Sequence, residues 1–170
     1  TYTAQFRKTG KNGLCIENDG TYWLENGEHV SDKGLVQVKD ENGNNLYYYF
    51  GEDGKAVKNV PQGGQDFWIS AEKTNGLLPE WGYYFDENGI ILHDDKFQNG
   101  ITDVDGVLYY YIDGIRVHMG MFKQGEDYYY AKSDGQLIVG REYYCERNNG
   151  LLPEGYYTFD EYGKLIDPPT

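Results

Sequence analysis

Apolar positions along this chain come in short runs, broken every few residues by turn dipeptides. The clearest case is Leu108–Ile112 (LYYYI), followed by Asp113-Gly114 and then Ile115–Val117 (IRV). β-branched and aromatic residues on both sides of a two-residue Asp-Gly loop predict a β-hairpin, because such dipeptides tolerate the positive φ angles of the turns that match strand twist. Asn-Gly occurs seven times and Asp-Gly five times, spread over the whole chain. No window of 11 or more residues shows convincing helical periodicity. A lone hairpin is marginal in water, whereas stacked hairpins bury aromatic faces against their neighbours. The expected fold is all-β: an elongated, solenoid-like stack of β-hairpin repeats. Side chains alternate along a strand, so in each Tyr-Tyr-Tyr triplet the outer two share a face. One face can pack inside the stack while the other lies in a groove.

The pattern is written twice. NGLLPEWGYYFDENG (Asn75–Gly89) and NGLLPEGYYTFDEYG (Asn149–Gly163) share 11 of 15 residues at an offset of 74. NNLYYYFGEDGKAV (Asn44–Val57) matches GEDYYYAKSDGQLIV (Gly125–Val139), with the triplets 81 residues apart. KNGLCIENDGTYWLENGEHV (Lys11–Val30) matches QNGITDVDGVLYYYIDGIRV (Gln98–Val117) at an offset of 87. Offsets that fall steadily through units in the same order describe a tandem duplication. The expected division is residues 1–95 as a first three-unit hairpin block and 96–170 as a second. Pro79 and Pro153 cannot donate to a ladder, so they belong in loops or at strand edges. The leucine pairs beside them, Leu77-Leu78 and Leu151-Leu152, are expected to tuck under a neighbouring hairpin, with an exposed leucine patch for a partner as the alternative. Trp81 faces Gly155 in the alignment, which singles out Trp81 as a ligand candidate.

Composition sharpens this picture. A chain of 170 residues with 18 Tyr, 23 Gly and few aliphatics must draw much of its buried area from aromatic rings. The formal charge of −13 repels phosphate backbones and anionic membranes, so no nucleic-acid partner is expected. No apolar run approaches the roughly 18–20 residues of a membrane span, so no membrane insertion is expected either. The opening TYTAQFRKTG has neither a Met nor a secretory hydrophobic region and reads as an excised or processed piece. Cys15 and Cys145 form no CxxC and are read as two free, partly buried thiols, with a bridge or chain-to-chain pairing as the alternative.

No catalytic constellation is visible. His29, His93 and His118 lie in different units, and neither HExxH nor GxSxG occurs. The acidic stretches Asp103–Gly106, Lys39–Gly43 and Asp86–Gly89 lack the ligand spacing of a calcium loop and read as turn chemistry. No metal, no cofactor and no enzymatic activity are expected.

GYYFDENGIIL (Gly82–Leu92), DGVLYYYIDGIRVHMG (Asp105–Gly120) and EDYYYAKSDGQLIVG (Glu126–Gly140) share a grammar of Gly, an aromatic run, Asp-Gly and a short aliphatic run. This grammar resembles the cell-wall-binding (choline-binding-like and glucan-binding) repeats of Gram-positive surface proteins. The resemblance implies a β-hairpin solenoid that attaches a secreted protein to wall polymers, placing the chain outside the cell, at the cell wall or surface. It also implies an attached catalytic or surface domain in the full-length protein. In choline-binding members, two Trp and a Tyr from adjacent hairpins form a cage that attracts a quaternary ammonium by cation–π interaction. Here the Trp position after the Gly reads Leu14, Leu35, Ile101 or Met121, and Tyr47–Tyr49, Tyr109–Tyr111 and Tyr128–Tyr130 stand at the second aromatic position. Aromatic rings on such a scaffold can also stack on sugars. The candidate ligand-binding residues are Trp23, Trp68, Trp81, Tyr83, Tyr109, Tyr111, Tyr128 and Tyr130. The expected function is a non-catalytic surface module that binds cell-wall polysaccharide, teichoic acid or another glycan through aromatic grooves between hairpins. The alternative is a structural spacer or protein-interaction stalk of a secreted surface protein.

Overall fold

The computed structural model describes residues 11–166. They form small antiparallel sheets, so the chain is all-β; among these residues the one helical feature is a 3-10 turn at Ala71–Thr74. The strands are β1 (Gly13–Glu17), β2 (Gly20–Glu25), β3 (Glu28–His29), β4 (Gly34–Lys39), β5 (Asn45–Phe50), β6 (Phe67–Ile69), β7 (Trp81–Tyr83), β8 (Gly100–Val104), β9 (Val107–Ile112), β10 (Ile115–Arg116), β11 (Gly120–Gln124), β12 (Asp127–Ala131), β13 (Arg141–Cys145), β14 (Gly155–Phe159) and β15 (Leu165–Ile166). Hairpins pair β1–β2, β4–β5, β6–β7, β8–β9, β11–β12 and β13–β14. The chain divides after Leu92 into two compact units, each holding three of these hairpins.

Two kinds of turn account for the repeated Gly. Asp113-Gly114 joins Ile112 to its partner Ile115 with φ of 49° and 81°. Left-handed backbone at both loop positions is the geometry in which Asp-Gly is cheapest. The second kind is longer and begins with an Asp whose carboxylate accepts backbone N–H groups two and four residues on. Asp40 takes Asn42 and Asn44, Asp86 takes Asn88 and Ile90, and Asp160 takes Tyr162 and Lys164. The acidic stretches Lys39–Gly43 and Asp86–Gly89 are therefore turn-formers whose carboxylates are already occupied by their own backbone.

Hairpins are joined within each unit by one repeated backbone contact. Ala56 N–H donates to the carbonyl of Thr21 at 2.8 Å, Ile91 to Tyr47 at 2.9 Å, and Leu137 to Leu108 at 2.9 Å. In each case the short segment after one hairpin bonds the second strand of the hairpin before it. The apolar clusters cross the same joints. Val36, Tyr48 and Phe50 pack with Leu14 and Trp23 from the hairpin before and Ile90 from the one after. Met121, Tyr130 and Ile138 pack with Cys145, Tyr157, Phe159 and Leu165. Burial of these rings supplies the stability that isolated hairpins lack.

Cys15 and Cys145 are not joined in a disulfide; Cys145 is buried, and burial pushes its thiol up to about 12. The Tyr47–Tyr49 triplet departs from the expected alternation, because all three rings are buried. That strand lies between two neighbours, so both of its faces are covered. Leu78 is buried, and Leu152 packs against the cluster around Met121 and Tyr130, while Leu151 remains exposed. The loop therefore docks one leucine of each pair.

Candidate functional site

Three of the proposed aromatic residues face inward and present no ring to solvent. Tyr83, Tyr111 and Tyr130 are all buried. Burial raises the phenols of Tyr83 and Tyr130 above their ordinary range. Each hydroxyl is committed to its own fold. Tyr83 donates to the carbonyl of Pro79, Tyr111 accepts from the Arg116 guanidinium at 3.0 Å, and Tyr130 accepts from the backbone N–H of Arg147 at 3.2 Å. A sugar cannot stack on rings that are already core, so these three leave the set of residues able to meet a ligand.

Others are partly covered. The Arg116 guanidinium carbon lies 3.7 Å from the ring centroid of Tyr109, occupying a face of that ring. Tyr128 packs against the cluster below it and has Lys123 Nζ 5.4 Å from its centroid. Trp23 packs against Phe50 at 5.9 Å with Lys33 Nζ at 6.0 Å. The Leu35 and Met121 side chains, at the positions where the resembled repeats carry Trp, are buried core. Between the fourth and fifth hairpins the rings of Tyr110, Phe122 and Tyr129 form a near-parallel column, with centroids 3.9 and 5.4 Å apart. All three rings are half-buried, and burial raises the phenols of Tyr110 and Tyr129.

The structure brings Trp68 and Trp81 together. They lie on β6 and β7, with ring centroids 5.6 Å apart and planes inclined at 56°. Trp68 is 47% exposed, a high value for so large an apolar ring. Its cross-strand partner is Gly82, where an added Cβ would overlap the Asp66 carboxylate. Glycine at this position thus makes room for a carboxylate beside the exposed indole. Glu80 accepts the backbone N–H of Ala71 at 3.0 Å and so holds the loop that enters β7.

Sequence reasoning missed a second aromatic pair, in which both rings are exposed. Tyr144 and Tyr156 are cross-strand partners on β13 and β14, with centroids 4.9 Å apart and planes at 70°. They are 43% and 68% exposed. Tyr144 donates its hydroxyl to Glu154, and that hydrogen bond, more than burial, raises its phenol above the ordinary range. The signal was present as REYYC opposite GYYTF, but which tyrosines point outward depends on register. Among the described residues, no group of three or more His, Cys, Asp or Glu side chains is placed to hold a metal ion, and no helix is long and apolar enough to cross a membrane.

No protein-family model matches the chain, and no curated protein matches it. Solved structures do. A choline binding domain from Streptococcus pneumoniae is 20% identical, with a TM-score of 0.33; the match covers 42% of this chain and 98% of that one. Truncated alternansucrase from Leuconostoc mesenteroides is 26% identical, with a TM-score of 0.39, over 75% of this chain and 10% of that one. Choline binding protein F from Streptococcus pneumoniae, solved in the presence of a tetrasaccharide-pentapeptide peptidoglycan analogue, is 18% identical, with a TM-score of 0.30, over 92% of this chain and 58% of that one. This chain thus spans about a tenth of the alternansucrase and somewhat over half of choline binding protein F. The proteins it is similar to include choline binding domains, the group whose repeats its sequence resembles.

Proposed function

We propose that this chain is a non-catalytic, extracellular module that holds a surface protein to cell-wall polysaccharide by stacking aromatic rings on sugars. The observation that carries the reading is the Trp68–Trp81 pair, whose indoles lie 5.6 Å apart with Trp68 exposed and Trp81 half-buried, while the Asp66 carboxylate occupies the space over Gly82, the cross-strand partner of Trp68. Exposing an indole forgoes the stabilisation that its burial would bring, about 1.5–3 kcal/mol for a large apolar side chain. An exposed Trp68 ring with a second indole at its side is better suited to a ligand than to the fold. The chain is a tandem duplication of a three-hairpin block, 1–95 and 96–170. Within each block the hairpins stack in solenoid fashion through the repeated joint at Ala56–Thr21, Ile91–Tyr47 and Leu137–Leu108. Weak single contacts on such a scaffold gain from multivalency.

The test is retention of the protein on purified Gram-positive walls, with choline and soluble glycans as competitors. Binding that soluble glycans displace and that Trp68→Ala weakens supports the reading. Absence of binding to intact and de-glycosylated walls alike overturns it.

A second reading, a spacer or protein-interaction stalk, is favoured by one specific observation. Leu35 and Met121 fill core positions where the resembled repeats have ligand-facing Trp, and Arg116 covers Tyr109. On that reading no wall polymer is retained, and the exposed rings serve a protein partner.

A further inference from the structure

Each block ends in a hairpin carrying an aromatic pair with at least one exposed ring, and the two pairs are built from different residues at equivalent places. Tyr83 and Tyr157 fix the correspondence, because each donates its hydroxyl to the carbonyl of the proline four residues earlier, Pro79 and Pro153. Their cross-strand partners are Phe67 and Tyr143. One residue further along the first strand stand Trp68 and Tyr144, both largely exposed. On the second strand the residues before Tyr83 and Tyr157 are Trp81-Gly82 and Gly155-Tyr156. The aromatic residue is not lost from the second copy. It has moved by one position, and in both copies a ring lies against the first-strand aromatic, at 5.6 Å and 4.9 Å. Packing does not require this, since Tyr156 is 68% exposed and Tyr144 43%. The carboxylates correspond only loosely: Asp66 beside Gly82, and Glu154 bonded to Tyr144.

Resting on the proposed glycan-binding reading, we infer that Tyr144, Tyr156 and Glu154 form a second ligand site, equivalent in place to Trp68 and Trp81, which takes an uncharged sugar ring. The electrostatics select the ligand class. Glu146 and Glu154 both act on Tyr144 through space, and the whole chain carries −13. A polyanionic phosphate polymer is repelled there, whereas a neutral pyranose presents C–H groups to the phenol faces and hydroxyls to the Glu154 carboxylate. The one nearby cation on β13, Arg141, is directed to the Tyr143 ring at 5.1 Å.

The test compares wild type, Trp68→Ala, Tyr144→Ala/Tyr156→Ala and Glu154→Gln on two probes. One is intact Gram-positive wall; the other is the same wall stripped of its phosphate polymers by hydrofluoric acid. Circular dichroism reports folding, which changes at exposed rings should leave intact. The expected result is that wild type binds stripped wall at least as well as intact wall. The double tyrosine variant should then lose about tenfold or more in retention, since linking sites raises avidity by on the order of 10²–10⁴, and a remainder sensitive to Trp68→Ala should persist. Unchanged retention by the folded double variant, while Trp68→Ala abolishes it, overturns the second site but leaves the glycan reading standing. Binding that disappears when phosphate polymers are stripped, or that choline fully displaces, overturns the uncharged-sugar assignment. If wild type binds neither wall, the underlying reading fails and this inference falls with it.

Discussion

Asn149 donates its side-chain amide to the carbonyl oxygen of Met121 at 2.7 Å, tying the loop of the last hairpin to the first strand of the hairpin before it. Asn75 does the same to Leu35 at 2.9 Å. Both asparagines hold left-handed backbone, with φ of 51° and 52°. Replacing Asn149 by Gly keeps that conformation and removes only the donor. It should cost about 1 kcal/mol, the usual net value of one hydrogen bond. Asn149→Ala adds the left-handed penalty of roughly 1–2 kcal/mol. Urea unfolding of the two variants should rank them in that order. Equal midpoints would mean that the amide bond carries nothing.

Trp23 and Trp68 should separate by their roles. Trp23 packs against Phe50 and the cluster of Val36 and Tyr48, so Trp23→Ala should destabilise by about 2–4 kcal/mol through lost burial. Trp68 is largely exposed, and Trp68→Ala should stay within about 0.5 kcal/mol while removing ligand-linked fluorescence change. Thermal melts and wall-glycan titrations on the same two proteins check both halves. A large stability loss for Trp68→Ala would identify it as core.

Arg116 spans two tyrosines, lying over Tyr109 and donating to the Tyr111 hydroxyl. Lysine cannot reproduce a flat guanidinium that stacks and donates at once. Arg116→Lys should therefore cost about 0.5–2 kcal/mol, the range of a partly buried cation–π contact with its hydrogen bond. A denaturation midpoint indistinguishable from wild type would show that a point charge suffices.

Alkaline pH should loosen the fold before acid does anything comparable to Cys145. Burial raises that thiol from its ordinary 9.0 to about 12, so the folded chain holds the proton more tightly than the unfolded one. Its contribution is complete below pH 9 and is lost as pH rises from there toward 12. Tyr48, Tyr49, Tyr110 and Tyr130, raised chiefly by burial, add losses of the same sign above about 10. Unfolding midpoints from pH 8 to 11 should fall, and less steeply in Cys145→Ala. A thiol reagent at pH 8 should spare Cys145 until the protein unfolds, and fast native labelling of that residue would contradict its burial.

The hairpins were legible because their signals are local. Asp113-Gly114 between LYYYI and IRV needs only the conformational preferences of two residues, and the strands formed on either side of it. The two leucine-proline phrases were likewise legible as docking loops, since Leu78 and Leu152 are apolar beside a residue that cannot join a ladder. What escaped was register. Trp81 aligned against Gly155 looks like a lost aromatic, but strand pairing shows Tyr156 standing beside Tyr144 one place further on. A linear comparison tracks position in the chain, whereas a surface pair depends on which cross-strand neighbours share a face. Tyr83, Tyr111 and Tyr130 were over-counted for the same reason, because only the neighbouring hairpin decides which rings are covered.

The repeated bonds at Ala56–Thr21, Ile91–Tyr47 and Leu137–Leu108 run from backbone N–H to backbone carbonyl. This hydrogen bond is indifferent to side-chain identity, whereas the buried rings and the Asn75 and Asn149 amides that cross between the same hairpins are not. Exposed rings can then be exchanged while the backbone bond between successive hairpins of a unit stays the same. The exchange of Trp81-Gly82 for Gly155-Tyr156 is the kind of re-decoration this coupling permits.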